Sequence, residues 1–305
     1  MRYVVTGAAG FIGSHLLRTL LDRGHDATGW DSFTDYYDPV LKKENARGLP
    51  VERIDLAEDR LDLDGVDGVF HLAGQPGVRS FGSVFPVYVR QNVLASQRLF
   101  EAAVEARART VLASSSSVYG DAAAYPTPED TASRPLSPYG ITKLAAEHLA
   151  QAYRQEYGLD VVTVRYFTIY GPRQRPDMAF ARMVAALAAS QPFELLGDGT
   201  QSRSFTYVKD AVDATIGAME RANSGSTLNV GGGEEVSMLE AIEALGRIAG
   251  RRLEIVRSPR REGDATRTAA DTARIRAEIG WESTTSFEEG LAAQWRWAAD
   301  RVAAA

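Results

Sequence analysis

The chain contains no cysteine. That excludes disulfides and thiolate metal sites at the outset. Lysine is scarce: only Lys42, Lys43, Lys143 and Lys209 stand among the 34 basic residues, and no basic block or stripe is present. With a net charge of −6 and both signs dispersed, nucleic acid is not an expected partner. The histidines, His15, His25, His71 and His148, show no metal-ligand spacing. No apolar run approaches the roughly 18–20 residues of a membrane span. The opening "MRYVVTGAAG" reads directly as structure and not as a signal peptide, so no membrane partner and a cytoplasmic location are expected.

What is present is an ordinary globular composition. The 305 residues are 45% hydrophobic and 24% charged, enough for one large domain or two intimate ones. Short β-rich runs alternate with longer amphipathic stretches. Strands are predicted at 2–6, 26–31, 51–55, 68–73, 110–114 and 161–166. Helices are predicted at 11–23, 38–46, 87–107 and 138–157. Such interleaving implies parallel βαβ units with right-handed crossovers, hence an α/β fold. Beyond about residue 168 the rhythm degrades at Pro172 and Pro176. Helices at 178–190, 209–222, 237–250 and 287–299 and a strand near 253–257 then suggest a smaller second domain. The division expected is 1–167, with return segments near 204–232, against 168–203 and 233–305.

The first strand leads into "VTGAAGFIGSHL", where Gly7, Gly10 and Gly13 are spaced G-x-x-G-x-x-G before a helix. Glycines let backbone approach a pyrophosphate, and a helix N-terminus offers unpaired N–H groups to it. The spacing is not the G-x-G-x-x-G fingerprint. Asp31 ends the second strand, where a carboxylate can accept from ribose hydroxyls and would repel a 2′-phosphate; NAD is therefore expected over NADP. Asp55-Leu56 after the third strand could hold the adenine or form an ordinary turn. Farther on, Tyr139 and Lys143 are four apart and share a face of the 138–157 helix. A phenol is a poor base at neutral pH, and a nearby cation favours its phenolate.

Taken together, "TGAAGFIGSHL", "HLAGQPGVR", "SSSSVYGD" and "YGITK" resemble the extended short-chain dehydrogenase/reductases that act on nucleotide sugars. The resemblance spans nearly the whole chain. It implies a Rossmann-type doubly wound parallel sheet with a smaller mixed α/β C-terminal substrate domain, and tightly held NAD. It places Phe11, Ile12, Leu72 and Ala73 beside the cofactor with the glycines. It implies a triad in which Ser115 supplies the hydroxyl, Tyr139 takes the sugar 4-hydroxyl proton, and Lys143 tunes Tyr139 and holds the nicotinamide ribose. Members of the family pair through helices equivalent to 87–107 and 138–157, so a homodimer is expected; the alternative is packing of both helices on their own sheet.

The stretch "RYFTIYGPRQRPDMAF" (165–180) and the segment 31–46 resemble the UDP-glucuronate 4-epimerases within that family. Galactose-type epimerases tend to carry Asn where this chain has Thr168. The resemblance implies that Thr168 and Arg175 hold the C5 carboxylate of a UDP-sugar. Arg203 and Arg261 match positions that hold the diphosphate in such enzymes, and the resemblance further implies that Arg79 faces the sugar or its phosphate. The run of serines at 114–117 sorts the possible second steps. A 4,6-dehydratase needs an Asp-Glu pair where this chain has Ser116-Ser117, and UDP-xylose-forming decarboxylases generally carry Glu in place of Ser117. An epimerase needs no further acid, only hydroxyls to orient the sugar. UDP-glucuronate 4-epimerisation is the first reading. UDP-glucuronate decarboxylation, a neutral-sugar epimerase and a non-catalytic dinucleotide-binding regulator follow. Trp281, Trp295 and Trp297 are expected to pack, not to bind carbohydrate.

Overall fold

The computed structural model describes residues 1–77, 82–259 and 267–303. Its first strand, β1 (Arg2–Thr6), is buried on both faces from Tyr3 onward, as a central strand of a parallel sheet must be. Helix α1 (Phe11–Asp22) leads to β2 (Asp26–Asp31), and α2 (Pro39–Asn45) to β3 (Val51–Arg53). The chain then crosses back, so that β4 (Gly68–His71) pairs with the free side of β1. A helical stretch follows: α3 (Phe85–Tyr88), a wider turn at Val89–Leu94, and α4 (Ala95–Ala106). It precedes β5 (Arg109–Ser115), α5 (Pro138–Tyr157) and β6 (Val161–Tyr166).

The α5 boundaries follow from local chemistry. The Ser137 hydroxyl accepts from the Gly140 N–H, Pro138 sits in the first turn, and Gly158 (φ 72°) closes the helix in the left-handed region.

Beyond β6 the elements shorten: β7 (Thr168–Tyr170), α6 (Ala179–Ala188), β8 (Phe193–Leu196) and β9 (Ser202–Tyr207). Then come α7 (Val208–Arg221), β10 (Thr227–Val230), β11 (Glu235–Ser237), α8 (Met238–Ala249) and β12 (Ile255–Ser258). The chain ends with β13 (Arg267–Thr268), α9 (Ala273–Ile279) and α10 (Phe287–Ala303). Strand β10 joins the far edge of the main sheet beside β6, giving the order β3-β2-β1-β4-β5-β6-β10, parallel throughout. Strand order therefore reverses between β1 and β4, where a doubly wound sheet opens a crevice at its carboxyl ends.

Apolar clusters hold the layers. Leu16, Leu17 and Leu20 of α1 and Ala211, Val212 and Ile216 of α7 cover one face of the sheet. Leu99 and Phe100 of α4 with Ala146 and Ala150 of α5 cover the other. A separate core joins Met183 and Leu187 of α6, Ile242 and Leu245 of α8, and Leu291 of α10. Strand β9 pairs with β7, β11 and β13, while β8 pairs with β12. Trp281 is buried and donates to the Asp210 carbonyl (2.9 Å), whereas Trp295 and Trp297 lie under Arg251 and Arg301. No helix among the described residues is long and apolar enough to cross a membrane.

Candidate active site

At the β1–β4 crevice lies a cavity whose wall begins at the glycines. Gly7 (φ 70°) turns out of β1 and donates to the Trp30 carbonyl (2.8 Å). A side chain at Gly7 would come within 2.9 Å of the Ala73 backbone nitrogen, and one at Gly13 would overlap the Gly7 carbonyl oxygen. Gly10 starts α1 with no side-chain cap, so the first-turn N–H groups of Phe11, Ile12 and Gly13 open onto the cavity with the positive end of the helix dipole. Asp31 also lines the cavity. Its two oxygens accept from Ala9 N (3.0 Å) and Phe33 N (2.8 Å), which fixes the carboxylate and leaves a lone pair on each oxygen for ribose hydroxyls. Backbone too tight for any Cβ, an uncapped helix start and a fixed acid fit a dinucleotide.

The walls contain Leu56, Leu72 and Ala73 but not Asp55. Asp55 instead receives Arg90 (2.9 Å) and the Ala57 N–H (3.0 Å). Lys42 lies in the wall beside Asp31 and passes over the Tyr37 ring (5.0 Å); burial holds its pKa below the usual lysine range. The sequence reading missed this residue, although Lys42 belongs to the small set of lysines.

A buried polar chain sets the cavity floor. Ser96 Oγ donates to the Asn92 carbonyl (2.7 Å), so toward His71 it can only accept. His71 Nε2 (2.9 Å from Ser96 Oγ) therefore carries the proton. Nδ1 is then bare and takes the Thr6 hydroxyl (2.8 Å), which itself accepts from Ala73 N (3.1 Å). Burial pushes the His71 pKa down to about 3, consistent with a neutral ring. Asn92 also accepts from Gln75 N (2.7 Å) and donates to Gln75 O and Thr142 Oγ1. The wider turn at Val89–Leu94 carries this Asn inward.

On α5, Tyr139 and Lys143 lie one turn apart and both line the cavity. The Lys143 ammonium donates to the Ala113 carbonyl (2.8 Å). Burial lowers its pKa to about 8, against the pull of Glu147. Burial raises the Tyr139 pKa, opposed by the Arg175 charge and a hydrogen bond to Ser115. Arg175 thus adds a cation beside the phenol that the Tyr139–Lys143 spacing does not reveal.

The serines divide their work. Ser114 turns inward to Glu147, and Ser115 reaches Tyr139 and Ser117 (3.2 Å). The Ser116 carbonyl accepts from Tyr119 N (3.1 Å) in a short turn. Glu147 is paired with Arg165 (2.7 Å), and both are buried. Arg165 also donates to Tyr119 (2.9 Å) and the Glu129 carbonyl (3.1 Å). Removing one partner of such a pair costs about 3–5 kcal/mol, because the other charge is left buried and unpaired. Neither Glu147 nor Arg165 was singled out in the sequence, since each matters through contacts distant in the chain.

Of the expected sugar contacts, Arg175 lines the cavity and is held by Asp177 (3.0 Å). Thr168 is half-buried at the start of β7, and Ser115, Ser116 and Ser117 stand at the end of β5; none of these four forms the cavity wall. Arg203 lies on β9 between β11 and β13, with Nη1 donating to Ser202 O (3.0 Å), away from that wall. Arg79 and Arg261 lie outside the described residues.

Comparison with known proteins gives the family. The uncharacterized UDP-glucose epimerase YtcB of Bacillus subtilis (strain 168) is 41% identical over 303 residues, covering 95% of this chain and 96% of the relative. The UDP-glucuronate 4-epimerase of Thermodesulfobacterium geofontis (strain OPF15) is 34% identical over 314 residues, covering 98% and 97%. The crystal structure of the UDP-glucuronic acid 4-epimerase from Bacillus cereus, in complex with UDP-glucuronic acid and NAD, superposes with a TM-score of 0.95 at 37% identity, covering 99% of this chain and all of that one. The family model for the NAD dependent epimerase/dehydratase family matches residues 3–231, from the first strand through the last strand of the main sheet. The matched span includes both the glycine cradle at the sheet's switch point and the tyrosine and lysine one helical turn apart, and the chain belongs to the NAD dependent epimerase/dehydratase family.

Proposed function

We propose that the protein is a UDP-glucuronate 4-epimerase. The observation that carries this reading is the placement of Arg175 in the same cavity as Tyr139 and Lys143. A guanidinium suits a planar carboxylate. Bound NAD supplies a reversible hydride acceptor for sugar C4. The glycine turn and the α1 N-terminus would hold its pyrophosphate, and Asp31 its adenosine ribose. Tyr139 takes the proton of the 4-hydroxyl and returns it after the sugar has turned, with Ser115 sharing the hydrogen bond. Lys143 is charged below pH 8 or so and holds the nicotinamide ribose. The 4-keto uronate is a β-keto acid, prone to lose carbon dioxide. A cation on its carboxylate stabilises the ionised form and opposes that loss. With Ser116-Ser117 where dehydratases need acids, that pair supplies no acid for elimination.

In this reading residues 1–167, with the return near 204–232, serve the cofactor, and 168–203 with 233–305 serve the UDP-sugar. The separate core of α6, α8 and α10 supports that division. A homodimer through the helical stretch Phe85–Ala106 and α5 is proposed with it, because Phe85, Val87, Leu94 and Ile141 leave apolar surface exposed there.

The deciding experiment supplies UDP-glucuronate to the NAD-loaded protein and follows products by NMR. UDP-galacturonate is expected. UDP-xylose or its 4-keto form with carbon dioxide would establish the decarboxylase, and turnover of UDP-glucose alone the neutral-sugar epimerase. Binding without any turnover would establish the regulator.

A further inference from the structure

The Arg175 guanidinium has two planar edges, each able to grip a carboxylate: Nε with Nη2, and Nη1 with Nη2. Asp177 occupies the first, with Nε–Oδ1 and Nη2–Oδ2 both at 3.0 Å. Among the described residues no protein oxygen accepts from Nη1. Local sequence builds this grip. Met178 N donates to the Arg175 carbonyl (3.1 Å), closing a turn over Pro176 that brings Asp177 back onto its own arginine. A second tether comes from outside the turn. The Tyr36 hydroxyl donates to Asp177 Oδ2 (3.3 Å), and Tyr36 belongs to the loop that follows Asp31.

We propose that Asp177 is the positioning residue of the sugar-carboxylate site. It holds the side-on edge of Arg175 and so presents the end-on edge to the C5 carboxylate of the substrate. The inference rests on the uronate reading above. A free arginine side chain would have to be ordered on binding; one already clamped is preorganised. The Asp177 side chain is itself 39% exposed, so water screens its repulsion of a second carboxylate. Tyr36 ties the clamp to the loop bearing the ribose acid, which couples the sugar end of the cavity to the cofactor end.

The test measures dissociation constants of UDP-glucuronate and UDP-glucose on NAD-loaded protein by calorimetry, and takes their ratio. Misfolding would weaken both ligands alike and leave the ratio unmoved. Wild type is expected to prefer the uronate. Asp177→Ala should cut that preference about tenfold or more, the scale of one lost charge-assisted contact. Asp177→Asn, whose amide oxygen still accepts one N–H, should fall between. An unchanged preference in an Asp177→Ala variant that binds UDP-glucose as tightly as wild type overturns the inference. So does an increased one, which would make Asp177 a competitor for the arginine. A wild-type ratio near one overturns the uronate reading and this inference together, and is distinct from either of those results.

Discussion

Tyr139 carries the chemistry in the proposed reaction, and its surroundings decide how it can act. Burial disfavours its phenolate, while Arg175 and Ser115 favour it. Replacing Tyr139 by Phe removes only the proton acceptor. Turnover should drop by about 10²–10⁴, the range of a positioned general base, with bound NAD retained. Spectrophotometric NAD content beside product formation checks this; loss of NAD in step with activity would mean that the hydroxyl is structural. The glycines, Asp31, Tyr139 and Lys143 were legible because each is tied to a spacing along one or two elements. Asp177 was not, because its meaning lies in a turn that folds it back onto Arg175. Asp55 illustrates the converse. Its sequence context suits either a ligand or a turn, and only the structure shows Arg90, 35 residues on, taking its carboxylate.

The long helices are the elements most readable from sequence, since Ser137 and Gly158 mark the ends of α5 in one-dimensional code. The stretch 87–107 was readable as a helix but not as an interrupted one, because a single wide turn leaves no compositional trace. Strands such as β11 and β13, of three and two residues, are too short for any period-2 pattern, and α9 spans two turns. Along the two long helices, Leu94 and Ile141 are 44% and 49% exposed. Apolar side chains so placed gain by pairing with a second copy. Leu94→Glu and Ile141→Glu should each shift the solution mass from dimer to monomer by light scattering. A monomeric wild type, or dimers that survive both changes, would remove the dimer from the proposal.

Across the whole molecule, strand order was predictable in kind, because alternating βα units leave few topologies. The closing strand β10 was harder to place. It reaches the main sheet only after the chain has left to build β8 and β9, a long-range pairing that composition does not record. Stability should also respond to pH as a whole-molecule property. His15 donates to the Pro172 carbonyl (2.9 Å), and burial lowers its pKa to about 4; His71 is lowered further. Both are neutral in the native state where the unfolded chain binds protons. Their contribution is full above about pH 6.5 and is lost as the pH falls toward 4 and 3. Unfolding free energies from urea titrations at pH 7 and pH 5 should differ by about 2 kcal/mol per histidine. His15→Gln should shrink that difference; an equal slope in the variant would exclude this origin.

The hydrogen-bond chain from Ala73 through Thr6, His71 and Ser96 to Asn92 can run in one direction only. A lattice of protons with a single permitted arrangement has nowhere to relax, so the cofactor side of the cavity behaves as a fixed bench. The opposite side rests on a proline turn and an ion pair open to water. Diversification of sugar preference in proteins built on this plan is therefore expected to concentrate in the turn, with the bench left alone.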